Sequence, residues 1–300
     1  MRLDLPPAFR TPAGRDPSWG PWLDRLPRLV ADVCGDWQLV VDGDPATGQT
    51  ALVLPVRTAA GERAALKLGW PHPEAEHEHL ALRAWAGDGA VRLLRADPHR
   101  SALLLERAEP GHDLHHLDVV EACEVIAGLY GRLHREPIPQ LRRLSGEAAR
   151  WAEELTQLRG TALAPRRFVD QAAALAADFA SDPATDGVLL HADLHFGNVL
   201  AADREPWLVI DPKPLAGDPA FEVAPVLWNR WEEAVAGGDV RGALLERLYV
   251  LVDAAGLDED RVRDWVTVRE MVNVLDEARQ AEPDRDRVTR CTTITKAVQR

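Results

Sequence analysis

The sequence predicts an α+β protein in two parts, a small strand-rich N-terminal part and a larger helical C-terminal part. Three observations carry this. Residues 37–107 read as short apolar strands separated by turn clusters. A breaker follows, Ala108-Glu109-Pro110-Gly111. From Asp118 to about residue 181, and again after Asp218, apolar residues recur at helical spacing. Strands first and helices afterwards favour segregated α+β over a doubly wound parallel sheet. The expected division is 1–107 and 108–300.

Taken in order, residues 1–17 are rich in Pro and Gly and read as an arm. Trp22, Leu26, Leu29, Val30 and Val33 predict a helix over 19–34. Residues 37–41, 51–56 and 63–68 read as three strands joined by the turns at 42–48 and 59–62, an antiparallel meander. The third strand, AALKL, carries Lys67. A lysine in an apolar strand must find a partner or face a cleft. Residues 73–85 read as a helix bearing Glu74, Glu76 and Glu78, followed by strands at 91–96 and 101–107. Asp118 with Glu121 matches a capping box. Helices are expected at 224–236, 240–255 and 260–278, with a last one within 284–300.

The composition is that of an ordinary globular chain: 300 residues, 46% hydrophobic and 28% charged. A net charge of -13 argues against a nucleic-acid partner, because phosphate backbones need a basic face. It is compatible with a small cationic partner. Three scattered cysteines point to a reducing compartment without a disulfide framework. No leader-like N-terminus and no run of about 20 apolar residues is present, so the expectation is a cytoplasmic protein away from membranes. Oligomeric state is not readable.

The chemistry concentrates in residues 188–212, VLLHADLHFGNVLAADREPWLVIDP. His191, Asp193, Asn198 and Asp211 fall there on turns between short apolar runs. Phosphoryl transfer needs such a set: a carboxylate to orient or deprotonate the attacking hydroxyl, an Asn and an Asp to hold magnesium, and a lysine on the nucleotide phosphates. His191-Ala192-Asp193-Leu194 followed by Asn198 fits the kinase catalytic-loop pattern H-x-D-L-x-x-x-N, with alanine where arginine is usual. Asp211 is followed by Pro212-Lys213 rather than Phe-Gly, which excludes the eukaryotic protein-kinase form.

The segments HADLHFGNVL and WLVIDPKPLAGDPAFEVA, with AALKL, LRAW, GDGAVRLL and ALLLER upstream, resemble the aminoglycoside phosphotransferase family, in particular its streptomycin and hydroxyurea branch. The likeness runs through residues 37–235. It implies a two-lobed protein-kinase-like fold with an antiparallel-sheet N-lobe and a mainly helical C-lobe. It also implies transfer from ATP, or another nucleoside triphosphate, with Mg2+, to a small-molecule hydroxyl, and hence antibiotic resistance.

Carried over by position, the resemblance makes Asp193 the catalytic base, and Asn198 and Asp211 the metal ligands. Lys67 becomes the phosphate contact, paired with a helix glutamate; Glu78 is favoured, with Glu74 and Glu76 open. Residues 105–108 resemble the adenine hinge, implicating the backbone of Glu106 and Ala108. Asp218 is placed near the acceptor side in a supporting or structural role, with Asn229, Glu232, Glu270 and Asn273 as further acceptor candidates, although Glu232 and Glu270 also read as helix-surface charge. Streptomycin-type acceptors rank ahead of hydroxyurea and other small alcohols. A separate reading takes His191, Asp193 and His195 as zinc ligands of a metallohydrolase. A third, a kinase-like binding module without activity, is disfavoured because Lys67, Asp193, Asn198 and Asp211 are all present.

Overall fold

The computed structural model describes residues 5, 6, 9 and 16–299; most of the arm read at 1–17 lies outside them. Packing divides the chain into two units. One comprises Met1–Pro110 with Ala201–Leu208, the other Gly111–Leu200 with Val209–Arg300.

The first unit opens with helix α1 (Trp19–Trp37). Its buried residues, Trp19, Trp22, Leu26, Val30, Val33 and Trp37, recur every three or four positions and form one apolar stripe. Trp37 belongs to that stripe, so the helix runs past residue 34 and the strand expected at 37–41 shrinks to β1 (Val40–Val41). Gln38 ends the helix in the left-handed region, at φ 54°. Then come β2 (Ala46–Thr47), β3 (Ala51–Arg57) and β4 (Arg63–Gly69). Helix α2 (Glu78–Trp85) precedes β5 (Leu93–Asp97) and β6 (Ala102–Glu106). The sheet order is β1-β3-β4-β6-β5, with β2 on β3, and the pairings are antiparallel.

Side chains alternate across a strand. On β4, Ala64, Leu66 and Leu68 join Leu52, Leu54 and Val56 of β3 in the cluster that packs on α1. Lys67 therefore lies on the other face, in register with Val53 and Leu103. The helix expected from residue 73 begins only at Glu78. Residues 73–77 form turns, with Glu74 and Glu76 exposed, so they have no buried face to drive helix formation.

β7 (Glu109–Asp113) leads into the second unit, which is built from α3 (Val119–Leu133), α4 (Leu144–Glu154) and α5 (Arg166–Ser181). After the central strands come α6 (Ala224–Trp228), α7 (Trp231–Ala236), α8 (Val240–Ala255), α9 (Glu259–Ala278) and α10 (Arg285–Val298). Asp118 caps α3 by accepting from the Val120 N–H at 2.9 Å. The single helix expected over 224–236 is broken between α6 and α7, where Arg230 takes φ 50°. Phe168, Val169 and Ala172 of α5 pack with Met271, Val274 and Leu275 of α9 and with Cys291 of α10.

The central strands are β8 (Arg142–Arg143), β9 (Val188–Leu190), β10 (Val199–Ala201), β11 (Leu208–Val209) and β12 (Leu215–Gly217). β12 pairs antiparallel with β9 and parallel with β8. A Cβ at Gly217 would press on the Leu190 and Leu144 side chains, which would have to shift to admit it. Among the described residues, no helix is long and apolar enough to cross a membrane.

Candidate active site

In the first unit, Lys67 is buried and its Nζ donates to both carboxylate oxygens of Glu78, at 2.7 and 2.6 Å. The strand supplies the ammonium and the first turn of α2 the carboxylate. Glu78 is thus the partner, and the exposed Glu74 and Glu76 are not. Glu106 ends β6 and Ala108 follows it, both partly buried. The Glu106 carboxylate accepts from Arg204 Nε at 2.8 Å, from Arg204 Nη2 at 2.9 Å and from the Arg92 N–H at 3.0 Å. Burial acts to raise the Glu106 pKa, but these donors hold it below the ordinary value. Arg204 is contributed by the short 201–208 excursion and was not identified from sequence.

In the second unit, the end of β9 delivers His191 and the loop to Asn198. His191 is fully buried, and burial lowers its pKa, so the ring is neutral. Its Nε2–H donates to the Ile210 carbonyl at 2.9 Å, and Nδ1 accepts from the Asp193 N–H at 3.3 Å. Both ring nitrogens are therefore engaged in shaping the turn. His195 caps the next turn, its Nδ1 accepting from the Gly197 N–H at 3.1 Å, and burial pushes its pKa down to about 4. Among the described residues, no group of three or more His, Cys, Asp or Glu could hold a metal ion. The zinc-hydrolase reading of His191, Asp193 and His195 is thereby set aside.

Asn198 donates its Nδ2–H to the Asp193 carbonyl at 2.8 Å, a bond that does not use its Oδ1. The Asn198 carbonyl accepts from the Ile210 N–H at 2.9 Å, tying the loop to the residue before Asp211. Asp211 has φ 56° and Ala192 φ 66°, left-handed conformations uncommon outside glycine. Such outliers cluster where a side chain must be presented at a set angle. Lys213 Nζ stands 2.9 Å from Asp211 Oδ2, so this carboxylate already meets a cation.

The acceptor candidates separate. Asp218 is buried, and its carboxylate accepts from the Ala220 N–H, from Trp265 Nε1 at 2.7 Å and from Arg261. It ties α9 to the turn before α6, a structural role. Asn229 donates to the Pro225 carbonyl at 2.8 Å, and its own carbonyl accepts from Arg247 at the break between α6 and α7. Glu232 is exposed on α7, and Asn273 is partly buried on α9.

Glu270 is a correction to its reading as surface charge: it is fully buried, and neither carboxylate oxygen has a hydrogen-bond partner. Burial pushes its pKa up to about 7, with Cys291 and Asn273 nearby relieving only part of that cost. The native state therefore holds a proton that the unfolded chain, at the ordinary 4.5, has released. Stability is fully present below about pH 4.5 and falls as pH rises through about 7. Urea titrations at about pH 5 and about pH 8 should show Glu270→Gln abolishing a loss of about 3 kcal/mol.

The profile of the aminoglycoside/hydroxyurea antibiotic resistance kinase family matches residues 36–282. The chain is 41% identical to the streptomycin 6-kinase of Streptomyces glaucescens over 258 residues, 85% of this chain and 83% of that one. It is 42% identical to the hydroxyurea phosphotransferase of Kitasatospora aureofaciens over 283 residues, 91% of this chain and 79% of that one. Among solved structures, the aminoglycoside phosphotransferase APH(4)-Ia superposes with a TM-score of 0.61 at 16% identity, covering 90% of this chain and 99% of that chain. The fold is therefore the protein-kinase-like one that the motifs implied.

Proposed function

The chain belongs to the aminoglycoside/hydroxyurea antibiotic resistance kinase family and is a phosphotransferase. On that premise we propose that it moves the γ-phosphoryl group of ATP to a hydroxyl of a streptomycin-type aminoglycoside. The observation that carries the reaction is the 191–198 loop. Three hydrogen bonds fix the turn that presents Asp193: its N–H donates to His191 Nδ1, Asn198 Nδ2–H donates to its carbonyl, and the Ile210 N–H donates to the Asn198 carbonyl. Asp193 orients the acceptor hydroxyl and takes its proton as the phosphoryl group transfers in line. No residue is needed as a covalent phosphoryl carrier.

The Lys67 ammonium, held by Glu78, neutralises the nucleotide phosphates. The backbone of Glu106 and Ala108 meets the adenine, with the Arg204 clamp fixing the strand end from which they project. Asn198 Oδ1 and Asp211 are hard oxygen donors of the kind magnesium takes. The Lys213 ammonium now pairs with the Asp211 carboxylate, so magnesium would take its place there on binding. Magnesium, when bound, neutralises charge on the transferring phosphate.

The acceptor rests on the relatives and on charge. A net charge of -13 suits a cationic aminoglycoside. Glu232, Asn229 and Asn273 are the remaining candidates to meet it. Hydroxyurea is the second reading, favoured by the 42% identity to a hydroxyurea phosphotransferase. Growth of a susceptible host expressing the chain separates them. Protection against streptomycin, lost in Asp193→Asn, is the expected result. Protection against hydroxyurea alone selects the second reading, and protection against neither points to another small alcohol.

A further inference from the structure

Ala192, the residue before Asp193, is held in the left-handed region at φ 66°, which an alanine side chain resists. Nothing in the loop itself accounts for that choice, and both polar atoms of the Ala192 residue are gripped from elsewhere. Its N–H donates to the buried carboxylate of Glu222. The other Glu222 oxygen meets His134 Nε2 at 2.9 Å, and the Glu222 carbonyl accepts from Tyr130 at 3.0 Å, so that carboxylate cannot swing away. The Ala192 carbonyl accepts from Arg269 Nη2 at 3.1 Å.

Arg269 comes from α9, 77 residues along the chain. Its Nη1 donates to the Phe221 carbonyl at 3.0 Å. Its guanidinium lies 4.1 Å from the Phe221 ring centroid and 5.0 Å from that of Trp228, which fixes its plane. We infer that Arg269 is a positioning residue for the catalytic loop, holding the strained Ala192 backbone so that Asp193 is presented at its working angle. The inference rests on the reading of Asp193 as the catalytic carboxylate.

Electrostatics agree with the geometry. Burial pulls the Arg269 pKa down, and the carboxylates of Asp193 and Glu222 oppose that pull. The guanidinium is therefore a cation beside Asp193 as well as a backbone donor. A purely space-filling arginine would need neither the carbonyl of Ala192 nor a carboxylate beyond it.

The test is steady-state kinetics with ATP and streptomycin, or hydroxyurea if the growth assay selects it. Arg269→Ala should lower kcat about 50-fold with both KM values within about threefold, because a misplaced catalytic group costs rate rather than binding. Adding Ala192→Gly to Arg269→Ala should recover about fivefold in kcat, since glycine takes a positive φ without strain. An arginine that only packs the core gives no such recovery.

Arg263→Ala removes another guanidinium of α9, one that donates to the Val298 carbonyl and to Tyr249. It should lower the melting temperature while leaving kcat unchanged. If Arg269→Ala does not fold, Arg269→Lys, which keeps the charge and a single donor, should show a smaller kcat loss at unchanged KM. A folded Arg269 variant with wild-type kcat, or a loss that Ala192→Gly does not relieve, overturns the inference. If Asp193→Asn itself keeps full turnover, the underlying reading of Asp193 fails instead. With Asp193→Asn inactive and Arg269→Ala fully active, only the positioning role is lost.

Discussion

Asp193→Asn is expected to lower kcat by about 10³-fold while leaving the fold and nucleotide affinity close to wild type. The change is isosteric, and it leaves the two backbone contacts of residue 193 within the loop in place. Its N–H donates to His191 Nδ1, and its carbonyl accepts from Asn198. Both survive the substitution, so the turn should keep its shape. What disappears is the negative charge that orients the hydroxyl and accepts its proton. Thermal shift with ATP and magnesium should therefore still show stabilisation, which separates lost chemistry from lost binding.

Lys67→Met is expected to have the second-largest effect, and a double one. The Lys67–Glu78 pair is buried on both sides. Removing the lysine takes from the buried Glu78 carboxylate the ammonium that pairs with it, which costs about 3–5 kcal/mol. The same variant loses the phosphate contact and should lower kcat/KM for ATP about 100-fold. These two consequences can be separated. Lys67→Met/Glu78→Leu replaces the pair by apolar groups and should recover most of the stability. It should recover none of the ATP-dependent rate. A double variant that regained activity along with stability would show that Lys67 acts only through the fold. Chemical denaturation and steady-state kinetics on the same preparations make the comparison.

The sequence announced these two residues for different reasons. Asp193, Asn198 and Asp211 lie close together along the chain, so the spacing of a single loop and strand displays them. Lys67 stood out as a charge inside an apolar strand, and the alternation of β4 shows why it is there: it sits on the face opposite the α1 core. Its partner was less legible. Glu74, Glu76 and Glu78 look equivalent in a helical reading, and only the late start of α2 leaves Glu78 alone in place.

Other residues could not be read from order along the chain. Arg269 and Glu222 meet the catalytic loop from 77 and 30 positions away, and an arginine in a helix carries no local signal of that contact. Glu270 misleads in the opposite direction. Acidic residues on helices are mostly solvated, yet this one lies fully buried on α9. Burial decides such cases, and burial is a property of the packed chain.

The central claim is that this chain phosphorylates a small-molecule hydroxyl through Asp193. Mass spectrometry of streptomycin incubated with ATP, magnesium and the purified protein tests it most directly. The expected result is streptomycin heavier by a single phosphoryl group, formed one-for-one with ADP, and absent with Asp193→Asn. Phosphorylated product formed equally well by Asp193→Asn would contradict the claim, as would ADP released with neither streptomycin nor hydroxyurea modified.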